Sequence, residues 1–270
     1  MRNTHYYSCV LRILLSMLAT LPNPVIFAHR GACAYAPENT LAAFELAYRQ
    51  GARAVEFDAK LTSDHRVVIL HDQTVDRTTD GIGHVARLPL AALRELDAGS
   101  WFSADTAAPG SFRGEKIPTL DEIFESIGGK MFMNIELTNY AAPFDQLVSR
   151  VVEIVQHHGL EQQVLFSSFL THNLIRAARL LPRVPRGQLI FPGPSGWWQR
   201  LWGRSVSIQA EHPFTRDVTQ KSVAHAHAHG RRVHVWTVND PHDMRRLKQC
   251  GVDGIFTDDP LRALDVFSGS

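Results

Sequence analysis

Val25-Ile26-Phe27-Ala28-His29-Arg30-Gly31 is an apolar run that ends in a polar, basic turn, and its reading decides the fold. Pro24 bounds the run, the four consecutive apolar residues read as a short strand buried on both faces, and His29 and Arg30 fall at its tip. Farther on, in Ala36-Pro37-Glu38-Asn39-Thr40, Pro37 stands where a helix can begin with its φ already set. A strand, a polar loop and then a helix form the repeating unit of parallel α/β sheets, which keep their chemistry at the C-terminal ends of the strands.

Other segments answer this one. Ala54-Val55-Glu56-Phe57-Asp58 is strand-like, and alternation along a strand throws Glu56, Asp58 and then Lys60 onto one face. Met131-Phe132-Met133-Asn134-Ile135-Glu136-Leu137 is another strand with an acid near its end, and Val67-Val68-Ile69-Leu70 runs into His71-Asp72. The chain thus offers His29, His71, Arg30 and the carboxylates of Glu56, Asp58 and Glu136, each at or just past the end of an apolar run.

Downstream, the pattern predicts strands over Val164 to Ser168, Gly187 to Phe191, Val206 to Ala210, Arg232 to Val238 and Gly254 to Thr257. Helical patterns over Pro143 to His158, Thr171 to Leu181, Arg216 to His229 and Pro241 to Gln249 alternate with them. No glycine-rich dinucleotide or phosphate loop is present, which favours a barrel over a nucleotide-binding sheet. The strand count is nine, one more than an eight-stranded barrel uses. Only Ala59 to Arg66 joins Ala54 to Asp58 with Val67 to Leu70. Either the two form a hairpin, or the eight connecting residues, about 26 Å when extended, cross the barrel without a helix.

Taken in order and spacing, His29-Arg30-Gly31, Pro37-Glu38-Asn39-Thr40, Glu56-x-Asp58, His71-Asp72 and Asn134-Ile135-Glu136 resemble the glycerophosphodiester phosphodiesterase family. Trp236-Thr237-Val238-Asn239 and Gly251-Val252-Asp253-Gly254-Ile255-Phe256-Thr257-Asp258 resemble its last two strands, so the likeness covers residues 24–265. The resemblance implies an α/β fold, a TIM (β/α)8-type barrel with a small cap insertion at residues 73–118. Gly114-Glu115-Lys116-Ile117-Pro118-Thr119-Leu120 looks like the return of that insertion to the barrel, the other reading of the segment being a partly ordered surface loop. The resemblance also implies His29 and His71 as the catalytic pair. Many family members carry a lysine two residues after the third acid, whereas this chain has Thr138. Lys60 either replaces that charge or is a solvated loop residue.

The residue types carry their own chemistry. Carboxylates forced together protonate or recruit a cation, and an all-oxygen set without a cysteine pattern suits Mg²⁺ or Ca²⁺ rather than zinc. Glu56, Asp58 and Glu136 are therefore the expected metal ligands. A phosphodiester gathers negative charge in its transition state, which a guanidinium fork such as that of Arg30 can meet. Two histidines can divide the proton work, one as acid and one as base, with the assignment open. The expected reaction releases sn-glycerol 3-phosphate and an alcohol from a small-molecule glycerophosphodiester. The alternatives are a lysophospholipase D-like preference for acyl-bearing substrates and a catalytically weak barrel that binds phosphorylated ligands.

Composition agrees with this and excludes other classes. The chain of 270 residues is 44% hydrophobic and 20% charged, enough for one barrel. A net charge of +1 leaves no basic face for nucleic acid. Cys9, Cys33 and Cys250 are odd in number and scattered, with no disulfide or zinc spacing. Residues 1–23 read as a tail or short helix, because Arg12 interrupts the apolar run Val10 to Ala19. That reading goes with a cytoplasmic protein, and export through a signal segment is the alternative.

Three further features carry expectations. His225, His227 and His229 alternate at a helix end, where residues two apart face different ways, so they are not a ligand set. Trp197, Trp198 and Trp202 follow a barrel strand and either line the mouth, where they would meet a choline group or a lipid interface, or pack a helix on the wall. Trp236 either floors the substrate pocket from within the barrel or packs outward on the following helix.

Overall fold

The computed structural model describes residues 18, 20–103, 111–196, 199 and 207–268. Eight parallel strands form the wall: β1 (Val25–His29), β2 (Ala54–Leu61), β4 (Phe132–Leu137), β5 (Val164–Ser168), β6 (Arg186–Leu189), β7 (Ala210–His212), β8 (Arg232–Val235) and β9 (Gly254–Thr257). They neighbour one another in chain order, and β1 pairs with β2 on one side (Phe27 opposite Ala54) and β9 on the other (Val25 opposite Gly254), which closes the sheet. The helices outside are α1 (Leu41–Arg49), α2 (Leu90–Glu95), α3 (Leu120–Ile127), α4 (Leu147–His158), α5 (Thr171–Leu180), α6 (Gln220–Ala228), α7 (Pro241–Cys250) and α8 (Pro260–Ser268).

The ninth strand, β3 (Val67–Ile69), answers the open question of the strand count. It pairs antiparallel with the end of β2, Lys60 opposite Val68, as a hairpin outside the closed wall. A turn suffices for an antiparallel pair, whereas a parallel crossing needs a dozen or more residues. The hairpin carries Leu70, His71 and Asp72 back toward the barrel mouth, with the Leu70 N–H donating to the Asp58 carbonyl at 3.0 Å.

Strand alternation sorts the core. Phe27, Ala54, Phe132, Leu165, Ala210 and Phe256 form an apolar plug inside the barrel, with the Phe27 and Phe256 rings stacked at 4.7 Å. Phe27 is fully buried, and truncating it to Ala should cost about 3–5 kcal/mol. The alternate residues Val55, Phe57, Ile135 and Phe166 face outward into the helix layer. The plug fills the lower barrel and leaves the polar residues of the same strands at the upper end.

Boundaries move where pairing and capping dictate. The helix after β1 begins at Leu41, not Pro37, because the Thr40 hydroxyl accepts the Ala43 N–H and donates to the Pro37 carbonyl, which takes the N-cap role. The predicted strand over Val206 to Ala210 lies later, at Ala210–His212, where β6 offers Gly187 to Leu189 as partners. The predicted strand over Arg232 to Val238 ends at Val235, because beyond it Trp236 makes only an isolated bridge to Phe214.

Within residues 73–118 lie a 3₁₀ turn (Val85–Arg87) and α2, and Val75, Val85, Leu93, Ala98 and Ile117 cluster with Val68 and Leu70 of the hairpin. His227 pairs with Asp253 at 2.7 Å and His229 bonds the His225 carbonyl, so the three histidines do not converge. No helix among the described residues is long and apolar enough to cross a membrane. Trp197, Trp198 and Trp202, like the run Val10 to Met17, lie outside the described residues.

Candidate active site

The turn after β1 sets the position of Arg30. Arg30 and Gly31 both take positive φ, 56° and 89°, and a Cβ at Gly31 would lie 2.6 Å from the Ala43 Cβ, so glycine is required where α1 passes close. The Arg30 N–H donates to the Glu56 carbonyl at 2.9 Å, and its guanidinium lies between Glu38, 2.9 Å from Nη1, and Asp58, 3.5 Å from Nε. Burial works against its charge, but Asp58, Glu38 and Glu56 outweigh it and hold Arg30 protonated.

Three carboxylates face it, Glu56 and Asp58 buried and Glu136 partly so. Asp58 of β2 stands opposite Glu136 of β4, and with Glu56 each offers an oxygen within 4.8 Å of the others. Burial, then Asp58 and Glu136, push the Glu56 carboxyl well above its ordinary range. Burial and Asp58 likewise push Glu136 up to about 8. Burial also pushes Asp58 up, yet Arg30, His71 and the Asn39 amide, which donates at 3.0 Å, hold it below the usual value. Acids that repel one another with only oxygen atoms to offer fit a hard divalent cation.

The two histidines are held by the same device. His29 Nδ1 meets Asp258 Oδ1 at 2.6 Å, and His71 Nδ1 meets Asp72 Oδ1 at 2.7 Å. Burial raises the Asp258 carboxyl, but hydrogen bonds from His29, Asn239 and Cys33 bring it to about 2. The hydrogen bond from Arg77 holds Asp72 well below the carboxylate range. Both partners are therefore ionised acceptors, so Nδ1 carries the proton in each ring. That leaves Nε2 free in both, with His29 Nε2 3.8 Å from Glu56 Oε2.

Arg77, from the 73–118 segment, spans both halves of this arrangement. Its guanidinium makes two bonds to Glu38 (2.8 and 2.7 Å) and two to Asp72 (2.7 and 3.1 Å). Glu38 in turn holds Arg30, and Asp72 holds His71.

One cavity of about 410 Å³ joins these groups: His29, Arg30, Glu56, Asp58, His71, Asp72, Asn134 and Glu136 line it on the polar side. Tyr140, Phe169, Leu189, Trp236 and Phe256 line the apolar side. Trp236 therefore faces inward; its Nε1 donates to the His212 carbonyl at 2.7 Å and its ring meets Phe169 edge-on at 5.5 Å. Lys60 does not line the cavity. It is buried, and its ammonium donates to the Thr138 hydroxyl at 2.9 Å and carbonyl at 3.3 Å. The ammonium thus reaches Thr138, which does line the cavity, while its charge favours the ionised forms of Asp58 and Glu136.

Sequence reasoning gave no role to Asp258, Asp72, Glu38, Arg77 or Tyr140. The adjacency of His71 and Asp72 was one available signal, and Glu38 and Asp258 stood within the motifs that carry the family resemblance. Tyr140 donates a short hydrogen bond to Glu136 from just past β4, and nothing in the local sequence marks it.

Residues 29–262 match the glycerophosphoryl diester phosphodiesterase family. A glycerophosphodiester phosphodiesterase of Caldanaerobacter subterraneus subsp. tengcongensis is 37% identical over 238 residues, covering 87% of this chain and 94% of that protein. One from Bacillus subtilis is 32% identical, covering 86% of this chain and 83% of that one. Among solved structures, an Oleispira antarctica phosphodiesterase in complex with the product sn-glycerol-3-phosphate superposes with a TM-score of 0.83 at 34% identity, covering 94% of this chain and 99% of that one. With the family match running from the histidine that ends β1 to the first turn of α8, the chain belongs to the glycerophosphoryl diester phosphodiesterase family.

Proposed function

We propose that the protein hydrolyses glycerophosphodiesters to sn-glycerol 3-phosphate and an alcohol, with His29 and His71 as the proton-transfer pair. The observation that carries this reading is the convergence of two carboxylate-anchored histidines, Arg30 and three clustered acids on one cavity. The product-bound Oleispira antarctica relative supports the choice of substrate.

Glu56, Asp58 and Glu136 would hold a divalent cation, Mg²⁺ or Ca²⁺. When bound, such an ion supplies positive charge for the phosphate oxygens and relieves the repulsion among its ligands. Arg30, kept protonated by Asp58, Glu38 and Glu56, binds a non-bridging phosphate oxygen. One histidine Nε2 accepts the proton of the attacking oxygen and the other donates a proton to the leaving alcohol. Asp258 and Asp72 stabilise the imidazolium form on each side without taking the proton themselves. Trp236 offers its ring to the glycerol carbons, and Lys60 acts from behind Thr138.

The test is release of glycerol 3-phosphate from a glycerophosphodiester with and without a chelator. Release that stops with chelator and returns with Mg²⁺ or Ca²⁺ supports the reading. No release with either ion would leave a barrel that only binds phosphorylated ligands.

A lysophospholipase D-like preference has one observation in its favour. The apolar wall continues past the cavity, where Phe169 stacks on the half-exposed Phe191 at 4.6 Å. Turnover of a lysophospholipid at a rate comparable to its deacylated counterpart would establish it.

A further inference from the structure

A second cluster at the barrel mouth is built from unlike atoms. His29, Cys33 and Asp258 offer a ring nitrogen, a thiol sulfur and a carboxylate oxygen, all within 4.8 Å of one another. They come from the end of β1, the turn that follows it and the residue after β9, and the backbone ties these segments together: the Ala34 N–H donates to the Asp258 carbonyl at 3.0 Å. The carboxylate is the hub, taking hydrogen bonds from His29, Asn239 and the Cys33 thiol. The His29 and Asp258 side chains are 18% and 33% exposed, so an ion can reach them from solvent.

Ligand softness separates this cluster from the acids beside it. Glu56, Asp58 and Glu136 offer oxygen alone and suit hard cations, whereas thiolate, imidazole and carboxylate together suit Zn²⁺ and similar thiophilic ions with a water as fourth ligand. We infer that His29, Cys33 and Asp258 form an inhibitory site for Zn²⁺, distinct in chemistry from the all-oxygen site and sharing with the proposed mechanism His29 and its partner Asp258. On binding, Cys33 releases its proton to solvent, and His29 Nδ1 gives up its bond to Asp258 to ligate the ion. The ring proton then moves to Nε2, where it occupies the nitrogen that faces the cavity. His29 can no longer accept a proton there.

Inhibition rests on the proposed hydrolase function, but occupancy does not, so two measurements separate them. In protein carrying Cys9→Ser and Cys250→Ser, Cys33 is the one remaining thiol. Titration with Co²⁺ as a zinc surrogate should give a thiolate-to-cobalt charge-transfer band that saturates near one equivalent, and adding Cys33→Ser should abolish it. The same difference can be read between the unmodified chain and Cys33→Ser alone if the background variant folds poorly. No such band would overturn the site, whatever the activity. In hydrolysis assays with Mg²⁺ in excess, each protein being compared with its own zinc-free rate, Cys33→Ser should raise the inhibitory Zn²⁺ concentration about tenfold or more, since loss of a ligand should cost at least as much as loss of its supporting bonds. Equal zinc sensitivity in both proteins would overturn inhibition through this cluster and point to zinc displacing the ion at the carboxylates.

Discussion

Arg77 grips Glu38 through both terminal nitrogens, Nη1 to Oε2 at 2.8 Å and Nη2 to Oε1 at 2.7 Å, while its Nε holds Asp72 at 2.7 Å. One guanidinium of the cap segment thereby steadies the carboxylate behind Arg30 and the carboxylate behind His71. Arg77→Ala should raise KM, through Arg30, and lower kcat, through His71, with a combined loss in kcat/KM of about 10–100-fold, the range for removing supporting bonds. Arg77→Lys should recover little, because an ammonium cannot fork two carboxylates. Steady-state kinetics of both variants check this, and unchanged kcat and KM in Arg77→Ala would reduce the residue to a surface ion pair.

Single Ala variants of Glu56, Asp58 and Glu136 should each lose cation affinity and activity together, since removing one of three carboxylates leaves too few oxygens. Without a cation the same acids are a liability. Glu56→Gln should melt higher than the unmodified protein in chelator, because burial and its acidic neighbours raise the Glu56 carboxyl. Calorimetric metal titration and thermal melts in chelator read the two effects separately.

His29→Ala and His71→Ala should fold and bind metal but lose about 10²-fold or more in turnover. Asp258→Asn should lower kcat with little change in KM, because an amide can donate to Nδ1 and so favour the wrong tautomer. Each histidine variant should lose one limb of the pH profile, and retention of both limbs would assign that histidine to scaffolding.

The Trp236 ring borders the cavity and also packs on Phe169 and Phe214. Trp236→Ala should raise KM and lower the melting temperature. Trp236→Phe should keep most of the affinity while losing only the hydrogen bond to the His212 carbonyl, worth about 1 kcal/mol. A KM that stays constant in both variants would make the ring part of the barrel filling alone.

His212 and His234 are fully buried between Phe27 and Phe256, with His234 Nδ1 3.3 Å from His212 Nε2. Burial lowers His212 to about 3; burial, then His212 and Arg232, lower His234 well below 6.5. Both stay neutral in the folded barrel, whereas the unfolded chain takes up protons below about 6.5. Stability is therefore intact above that pH and falls on acidification, His212 alone costing about 2 kcal/mol by pH 5. Urea midpoints at pH 7 and pH 5 measure the loss, and His212→Gln should shrink the difference.

The sequence by itself determined the alternation of strands and helices, the strand-end placement of His29 and the shared face of Glu56 and Asp58, because burial and alternation are local properties of a strand, whereas the barrel was what the family resemblance implied. It also marked Glu136 near the end of its own strand, although its position opposite Asp58 depends on the pairing of β2 with β4. Whether residues 59–66 turned or crossed the barrel was left to the tertiary structure, since either path satisfies the chain length until β3 finds its antiparallel partner. The positions of Lys60 behind Thr138 and of Arg77 between Glu38 and Asp72 were decided there too. A side chain's partner 78 residues away is set by how strands and cap are brought together, and no local pattern records it. The joining of Asp258 to His29 across 229 residues has the same cause: β9 pairs with β1 only once the barrel closes.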